Sequence, residues 1–347
     1  MPDRVGALLN TAVAEGRVPG AVAISGRGEV TLGQWVAGRA DTILQRPMGA
    51  ETVFDLASLT KVVATTTVTL ALAGQGALSL DDPVLRYLPE FTACRVGPVT
   101  LGHLLTHTAG LPAGRTFHRW CGSREELLAD LYRTPLDAPP GSRVAYSDLG
   151  FIALGEVAAA VTAAPLEQAV RRLVTGPLGM TATGFNPNGP ADRFAATERR
   201  ADGTTWAGTV HDENARLMGG VAGHAGLFAP AADLARFAAW WVSGAEAVVP
   251  ATLRRAATTC QTAAAGRRGF GWACSGDGFD IVGGHWPPTS VSHTGFTGTS
   301  LALDPATGLW VVLLTNAVHF GRDATGVQAL RRAVHGAVYR AVTARPP

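Results

Sequence analysis

Runs rich in β-formers sit near the two ends of this 347-residue chain, and that placement constrains its fold more than any other feature. Near the start, "AVAISGRG" and "VTLGQWVAGRA" read as two strands around a glycine-rich turn. Near the end, "GFGWAC", "FDIVGG", "SVSHTGFTGTSLALD" and "LWVVLLTNAVH" are short runs divided by Gly and Asp-Pro turns. The segments between have helical length and period. "SREELLADLYR", "SDLGFIALGEVAAAVTA" and "APAADLARFAAWWVSG" are examples, and Ser147 or Asp148 is placed to cap the second. A helix is also expected at each end of the chain, the last from about Asp323 to Val342. The economical arrangement is one α/β (α+β) unit with a single sheet assembled from both chain ends. The sheet region covers about 1–57 and 265–347, and an inserted, mostly helical region covers about 58–264.

The chain is 47% hydrophobic and 16% charged, enough apolar material for a large core. Its formal net charge is +2 and it has no basic run, so nucleic acid is not an expected partner. No apolar run reaches the roughly 18 residues of a membrane span. The first twenty residues carry Asp3 and Glu15 without a continuous apolar stretch, so they read as mature protein and the expected location is cytoplasmic. Cys94, Cys121, Cys260 and Cys274 are widely spaced, which favours free thiols.

Lys61 is the only lysine among 29 lysine and arginine residues, and it stands three residues after Ser58. On a helix, positions i and i+3 share a face. A serine hydroxyl is a poor nucleophile until a base takes its proton. Lysine can be that base if burial or nearby positive charge lowers its pKa, whereas arginine stays protonated. A surface lysine is the bland alternative. "YSD", Tyr146 to Asp148, opens a helix, and a tyrosine hydroxyl near a serine can relay its proton when a cation favours the phenolate. In "SHTGFTG" the glycines permit close approach of another backbone or a ligand, or simply make a tight turn.

Taken together and in order, these residues resemble the serine β-lactamase and penicillin-binding protein superfamily. The class C β-lactamase-like branch of esterases, D,D-peptidases and transacylases is the nearest in pattern. Ser58-x-x-Lys61 is similar to its nucleophile motif, Tyr146-Ser147-Asp148 stands where it has Tyr-x-Asn, and His293-Thr294-Gly295 where it has Lys-Thr-Gly or His-Thr-Gly. "TLGHLLTHTAGLP", "PPGSRVAYSDLGFIALGEV" and "VHDENARLMGGVAGHAGLF" agree with that pattern. The resemblance implies an antiparallel sheet flanked by terminal helices. It also implies an acyl-enzyme on Ser58, with Lys61 accepting or relaying the Ser58 proton and Tyr146 as second acid/base. The backbone N–H groups of Ser58 and Phe296 would form an oxyanion hole. Asp148, His293, Thr294 and Gly295 would bind substrate, with no cofactor and no metal. The partners would be a small-molecule acyl donor and acceptor.

Two departures bear on substrate. Asp148 replaces asparagine, and a carboxylate accepts hydrogen bonds but holds a neighbouring lysine charged. His293 replaces a lysine that meets anions, which weakens the expectation of β-lactam turnover. The expected function is therefore an esterase or transacylase, with natural-product biosynthesis as a setting. A D,D-peptidase or β-lactamase is the alternative, and an inactive binding or sensor homologue the second.

Other clusters are read as structure. His103 and His107 have the i, i+4 spacing of a metal face but lack a Glu between them. His211 to Asn214 either rim the site or, the favoured reading, cap a helix and satisfy loop backbone, and His224 reads as a packed histidine. Trp120, Trp206 and Trp286 lie in expected loops, either shaping an acyl pocket or packing beneath them.

Overall fold

The computed structural model describes residues 2–92, 98–244, 248–262, 265–282, 284–323 and 326–343. Helix α1 (Pro2–Ala14) leads into strands β1 (Gly20–Arg27), β2 (Val30–Asp41), β3 (Arg46–Pro47) and β4 (Val53–Asp55). A π-helical turn, Lys61–Thr66, runs into α2 (Thr67–Gly74). The inserted region holds α3 (Leu101–Leu105), α4 (Arg124–Arg133), α5 (Asp148–Thr162) and α6 (Leu166–Val170). It continues through β5 (Gly184–Phe185), α7 (Glu213–Leu217), β6 (Leu227–Pro230), α8 (Ala231–Ser243) and α9 (Ala251–Thr258). The chain returns to the sheet as β7 (Ala273–Cys274), β8 (Val291–Thr294), β9 (Ser300–Asp304) and β10 (Leu309–Thr315), then closes with α10 (Gly326–Thr343).

Among the described residues the main sheet has seven strands in the order β3-β2-β1-β10-β9-β8-β7, paired antiparallel throughout. The first and last segments of the chain meet at its centre, where Ala21 faces Thr315 and Arg27 faces Leu309. Every residue of β10 is buried because both faces of the sheet are covered. The two-residue alternation of the strands sorts their side chains between two cores. Val22, Ile24, Val312 and Leu314 join the core shared with the helical region. Ala21, Ala23, Val311 and Leu313 join a second core with Val5 and Leu9 of α1 and Leu330 and Val334 of α10. The expected architecture, an antiparallel sheet from both chain ends with terminal helices, is what forms.

"FDIVGG" is not a strand among the described residues. The Asp280 carboxylate accepts from the backbone N–H of Gly276 (3.0 Å) and Val282 (2.9 Å), so this segment satisfies its amides in a looped turn. In "GFGWAC" only Ala273 and Cys274 pair, because Gly271 takes a left-handed turn at φ 78° just before them. Cys121, Cys260 and Cys274 are free thiols, and Cys94 lies outside the described residues. No single described helix is long and apolar enough to cross a membrane.

Candidate active site

The turn after β4 is built around a buried carboxylate. Asp55 accepts from the backbone N–H of Ala57 (2.8 Å) with one oxygen and from that of His211 (2.6 Å) with the other. This holds Ala57 at φ 46°, a left-handed conformation that costs a non-glycine residue about 1–2 kcal/mol. Ser58 follows at the mouth of the helical segment, and the Lys61 N–H donates to the Ser58 carbonyl at 3.0 Å.

Lys61 is completely buried, and its ammonium meets three acceptors. Nζ lies 2.9 Å from Ser58 Oγ, 3.0 Å from the His224 carbonyl and 2.7 Å from an Asp148 carboxylate oxygen. Burial pushes the pKa of Lys61 down, but the Asp148 charge and then the Tyr146 hydroxyl outweigh it, and the group is held above its ordinary value. This is the effect expected of Asp148 in place of asparagine, and it works against Lys61 as a neutral base. Asp148 keeps it an ammonium, and an ammonium donates to Ser58 instead of accepting from it. The His224 carbonyl reaches this point because Gly223 packs on α5, where a Cβ would stand 2.0 Å from the Phe151 carbonyl oxygen.

Ser147 caps α5 by accepting from the Gly150 N–H (3.4 Å), and its hydroxyl donates to the Pro112 carbonyl (2.6 Å). Its own N–H donates to His107 Nδ1 at 3.0 Å, which places the His107 proton on Nε2. The His107 ring packs between Tyr146 (centroids 4.5 Å apart) and Phe151 (5.0 Å). Burial and the nearby Arg268 and Lys61 charges keep His107 neutral, with a pKa far below the usual histidine range. The imagined metal face with His103 does not form. Helix α3 ends at Leu105, His107 turns left-handed at φ 58°, and His103 Nδ1 accepts from Thr100 to complete a helix cap. His107 orients Tyr146, a role its sequence position did not reveal.

On the opposite wall, β8 delivers His293, Thr294 and Gly295. A Cβ on Gly295 would come 2.1 Å from Thr299 Oγ1 and 2.4 Å from the Leu56 carbonyl oxygen. Thr297 and Thr299 donate to the carbonyls of Asp55 (2.8 Å) and Leu56 (3.0 Å), so the β8–β9 turn is riveted onto the nucleophile turn. Among the described residues, neither the Ser58 nor the Phe296 backbone N–H has an acceptor. His293 Nδ1 lies 2.9 Å from the Thr294 carbonyl, which can only accept, so Nδ1 carries the proton and Nε2 is a bare acceptor. Nε2 is buried without a partner, and burial with the Lys61 and Arg268 charges keeps the ring neutral.

A cavity of about 280 Å³ brings together Ser58, Tyr146, His293, Thr294, Gly295 and Phe296. Asp148 stands behind them on Lys61. Phe279 lines the cavity and stacks on Tyr146 at 5.1 Å, and Phe296 stacks on His211 at 5.6 Å. None of the three expected tryptophans lines it. Trp286 donates to the His335 carbonyl under α10, Trp206 lies between Arg200 and Arg216, and Trp120 donates to Asp130. His224 is packed, with Nε2 3.0 Å from Asp212, and Asp212 caps α7 by accepting from Ala215.

Sequence reasoning missed the arginines of the wall. Arg268, Arg322 and Arg331 line the cavity, and no carboxylate does among the described lining residues. Arg268 is buried, pairs with Asp277 at 3.0 Å and lies 5.6 Å from the Tyr146 ring centroid. Arg331 donates to the carbonyls of Gly295 (2.7 Å) and Thr299 (2.8 Å), has no acidic partner among the described residues, and is pushed down to about 10 by burial. In a chain with arginine throughout, nothing local singled these out.

A family model described as Beta-lactamase matches residues 5–335. The chain belongs to the beta-lactamase family. That family comprises serine hydrolases and acyltransferases. A protein from Escherichia coli K12 named "Putative D-alanyl-D-alanine carboxypeptidase" is 32% identical over 316 residues, covering 80% of this chain and 72% of its own. The solved structure of EstCE1, "a hydrolase with promiscuous acyltransferase activity", is 28% identical with a TM-score of 0.76, covering 95% of this chain and 97% of EstCE1. A class C beta lactamase from Rhodobacter sphaeroides, 20% identical with a TM-score of 0.73 over 96% of this chain and 99% of its own, shares the fold.

Proposed function

We propose that this family member is an esterase or transacylase that works through an acyl-Ser58 intermediate and passes a small acyl group to water, an alcohol or an amine. The observation that carries the reading is the buried Lys61 ammonium 2.9 Å from Ser58 Oγ. Because Nζ donates to that oxygen, the hydroxyl proton of Ser58 is turned away from Lys61. Tyr146, beside the same ammonium, is the group that accepts it. Ser58 Oγ then attacks the donor carbonyl, and the C–O bond forms while the carbonyl oxygen gathers negative charge. The free N–H groups of Ser58 and Phe296 stabilise that charge, each contributing about 2.7–4 kcal/mol in comparable sites. On collapse Tyr146 returns its proton to the leaving oxygen. The second half runs in reverse, with the acceptor giving its proton to Tyr146 and Ser58 recovering one. His293 supports neutral esters over anionic β-lactams, since a neutral imidazole brings no positive charge to meet a carboxylate.

A second reading, a carboxypeptidase or β-lactamase, is favoured by two observations. Arg268 and Arg331 supply the positive charge that His293 lacks, and the Escherichia coli relative carries a carboxypeptidase name. An inactive sensor is the weaker reading, because Ser58, Lys61 and Tyr146 are all present and assembled.

The test is incubation with p-nitrophenyl butyrate followed by intact mass and peptide mapping. A butyryl adduct on Ser58 is expected, and Ser58→Ala is expected to fold normally and lose turnover by several orders of magnitude. Near-normal turnover in Ser58→Ala removes the mechanism. Release of terminal D-alanine from a D-Ala-D-Ala peptide, faster than any ester hydrolysis, selects the second reading.

A further inference from the structure

The hairpin that carries Arg268 has two faces. Arg268 bridges antiparallel to Ala273, and the Cys274 N–H donates to the Arg267 carbonyl at 2.9 Å. In extended chain, neighbouring side chains point to opposite sides. Arg268 and Ala273 line the Ser58 cavity, whereas Arg267 and Cys274 line another cavity of about 510 Å³ on the far side. This volume falls in the range of small-molecule sites, about 300–1,000 Å³. We propose that this second cavity binds an amphipathic carboxylate, a carboxylic acid anion with a medium-length apolar chain.

The lining decides the class. Trp241, Val242, Ala251 and Pro305 give an apolar surface suited to a hydrocarbon chain. Arg254, Arg255 and Arg267 add guanidinium groups, and no carboxylate lines the cavity among the described residues. Arg254 is buried and donates to the Trp240 carbonyl at 2.8 Å, so it forms part of the frame. Arg267 is held by a bond from Nε to the Ser275 carbonyl at 2.6 Å. Its terminal N–H groups, and the whole Arg255 guanidinium, have no acceptor and no ion-pair partner among the described residues. The buried indole N–H of Trp241 also lacks an acceptor among them. An unpaired guanidinium fork matches a carboxylate in geometry and charge. Apolar walls below it supply the contact a chain would make and an inorganic anion would not.

The site is separate from Ser58, so it is tested by binding. Decanoate is titrated into the whole protein by calorimetry, with decanol and acetate as probes lacking the charge and the chain. The expected result is saturable one-site binding of decanoate, at least about tenfold tighter than either control, since a charge-assisted hydrogen bond and an apolar chain each contribute that much. Arg255→Glu/Arg267→Glu, both exposed and checked for folding by circular dichroism, is expected to weaken decanoate at least about tenfold by reversing the charge. Phe296→Ala, at the mouth of the Ser58 cavity, is expected to leave its affinity unchanged. The proposal is overturned if decanoate gives no saturable heat or decanol binds as tightly. Wild-type affinity in the double variant, or loss of binding in Phe296→Ala, overturns it equally.

Discussion

Asp148→Asn separates the two roles Lys61 can play, because it removes the charge that keeps the lysine protonated and changes little else. Losing one member of a fully buried ion pair costs about 3–5 kcal/mol. Asp148 keeps 35% of its side-chain exposure, so solvent screening reduces the expected stability loss at pH 7 to roughly 2 kcal/mol. The pH dependence has a definite sign. In the wild type the Lys61 pKa lies above its ordinary value, so its contribution is fully present below the unfolded-state pKa, near 10.4, and is lost only as pH rises beyond it. In the variant, burial acts with less opposition and the folded-state pKa falls. The unfolded chain then binds the extra proton, and the deficit relative to wild type shrinks as pH rises toward 10.

Catalysis moves the other way. The Lys61 nitrogen stands 5.1 Å from the Tyr146 ring centroid. At an effective dielectric of about 20, an ammonium and negative charge developing on the Tyr146 oxygen roughly 4–5 Å away attract by about 3–4 kcal/mol, or roughly 10²–10³-fold in rate. As Lys61 deprotonates in Asp148→Asn, acylation of Ser58 is expected to fall by up to that factor. Its alkaline limb then lies at lower pH than in wild type. Stopped-flow release of p-nitrophenol from p-nitrophenyl butyrate, read in single turnover from pH 6 to 9.5, measures the limb, and urea unfolding at matched pH measures the stability gap. If Lys61 were the base, freeing it from Asp148 would raise its neutral fraction and speed acylation near pH 7. Faster acylation by Asp148→Asn at neutral pH refutes the ammonium role.

Gly295→Ala is expected to cost about 1–3 kcal/mol in stability, because its methyl would overlap Thr299 Oγ1 and the Leu56 carbonyl oxygen. The same shift pulls the Phe296 N–H away from Ser58, so kcat is expected to fall about 10²-fold with KM little changed; a wild-type kcat removes Phe296 from the oxyanion site. Activated esters such as p-nitrophenyl acetate are expected to turn over faster than penicillins and cephalosporins, and cephalosporin turnover without esterase activity reverses the two functional readings. His293→Lys replaces the bare acceptor by a cation, so kcat/KM is expected to shift toward carboxylate-bearing substrates by about tenfold relative to neutral esters, and an unchanged ratio shows that His293 does not face substrate.

The sheet was readable because β-formers cluster at the chain ends and little else can bury runs such as "LWVVLLT". Motif order likewise singled out Ser58, Tyr146 and His293, which line one cavity. What the sequence hid were contacts made across long separations. The two amides that fix the Asp55 carboxylate come from Ala57 and from His211, over 150 positions away, and no local pattern announces the second. Arg268 and Arg331 were hidden by the abundance of arginine, since only burial marks them out. "FDIVGG" misled because its apolar residues do pack, with Ile281 and Val282 in the second core, while Asp280 spends the backbone N–H groups a strand would need. For Lys61, proximity to Ser58 followed from the i, i+3 spacing. Its charge state depended on whether burial or Asp148 wins, a balance that residue types alone do not settle.

That balance also explains why a chain so rich in arginine keeps one lysine here. An arginine would remain protonated, and Asp148 pushes this lysine toward the same state. The ability to give up a proton is then not the only property that can set Lys61 apart. Shape is another. Three acceptors, Ser58 Oγ, the His224 carbonyl and the Asp148 carboxylate, converge at 2.7–3.0 Å on the single nitrogen of a fully buried side chain. An ammonium places three donors around one point, whereas a guanidinium spreads five across a plane and is bulkier. Forcing it in would displace at least one acceptor and overpack the floor beneath Ser58, at about 1–3 kcal/mol. Lys61→Arg is thus expected to lose acylation about 10²-fold or more with little change in the pH profile of what remains, because the charge is conserved and the geometry is not. A variant with the wild-type rate would show that charge alone suffices. A residual rate whose acid limb has vanished would show that the lysine was giving up a proton after all.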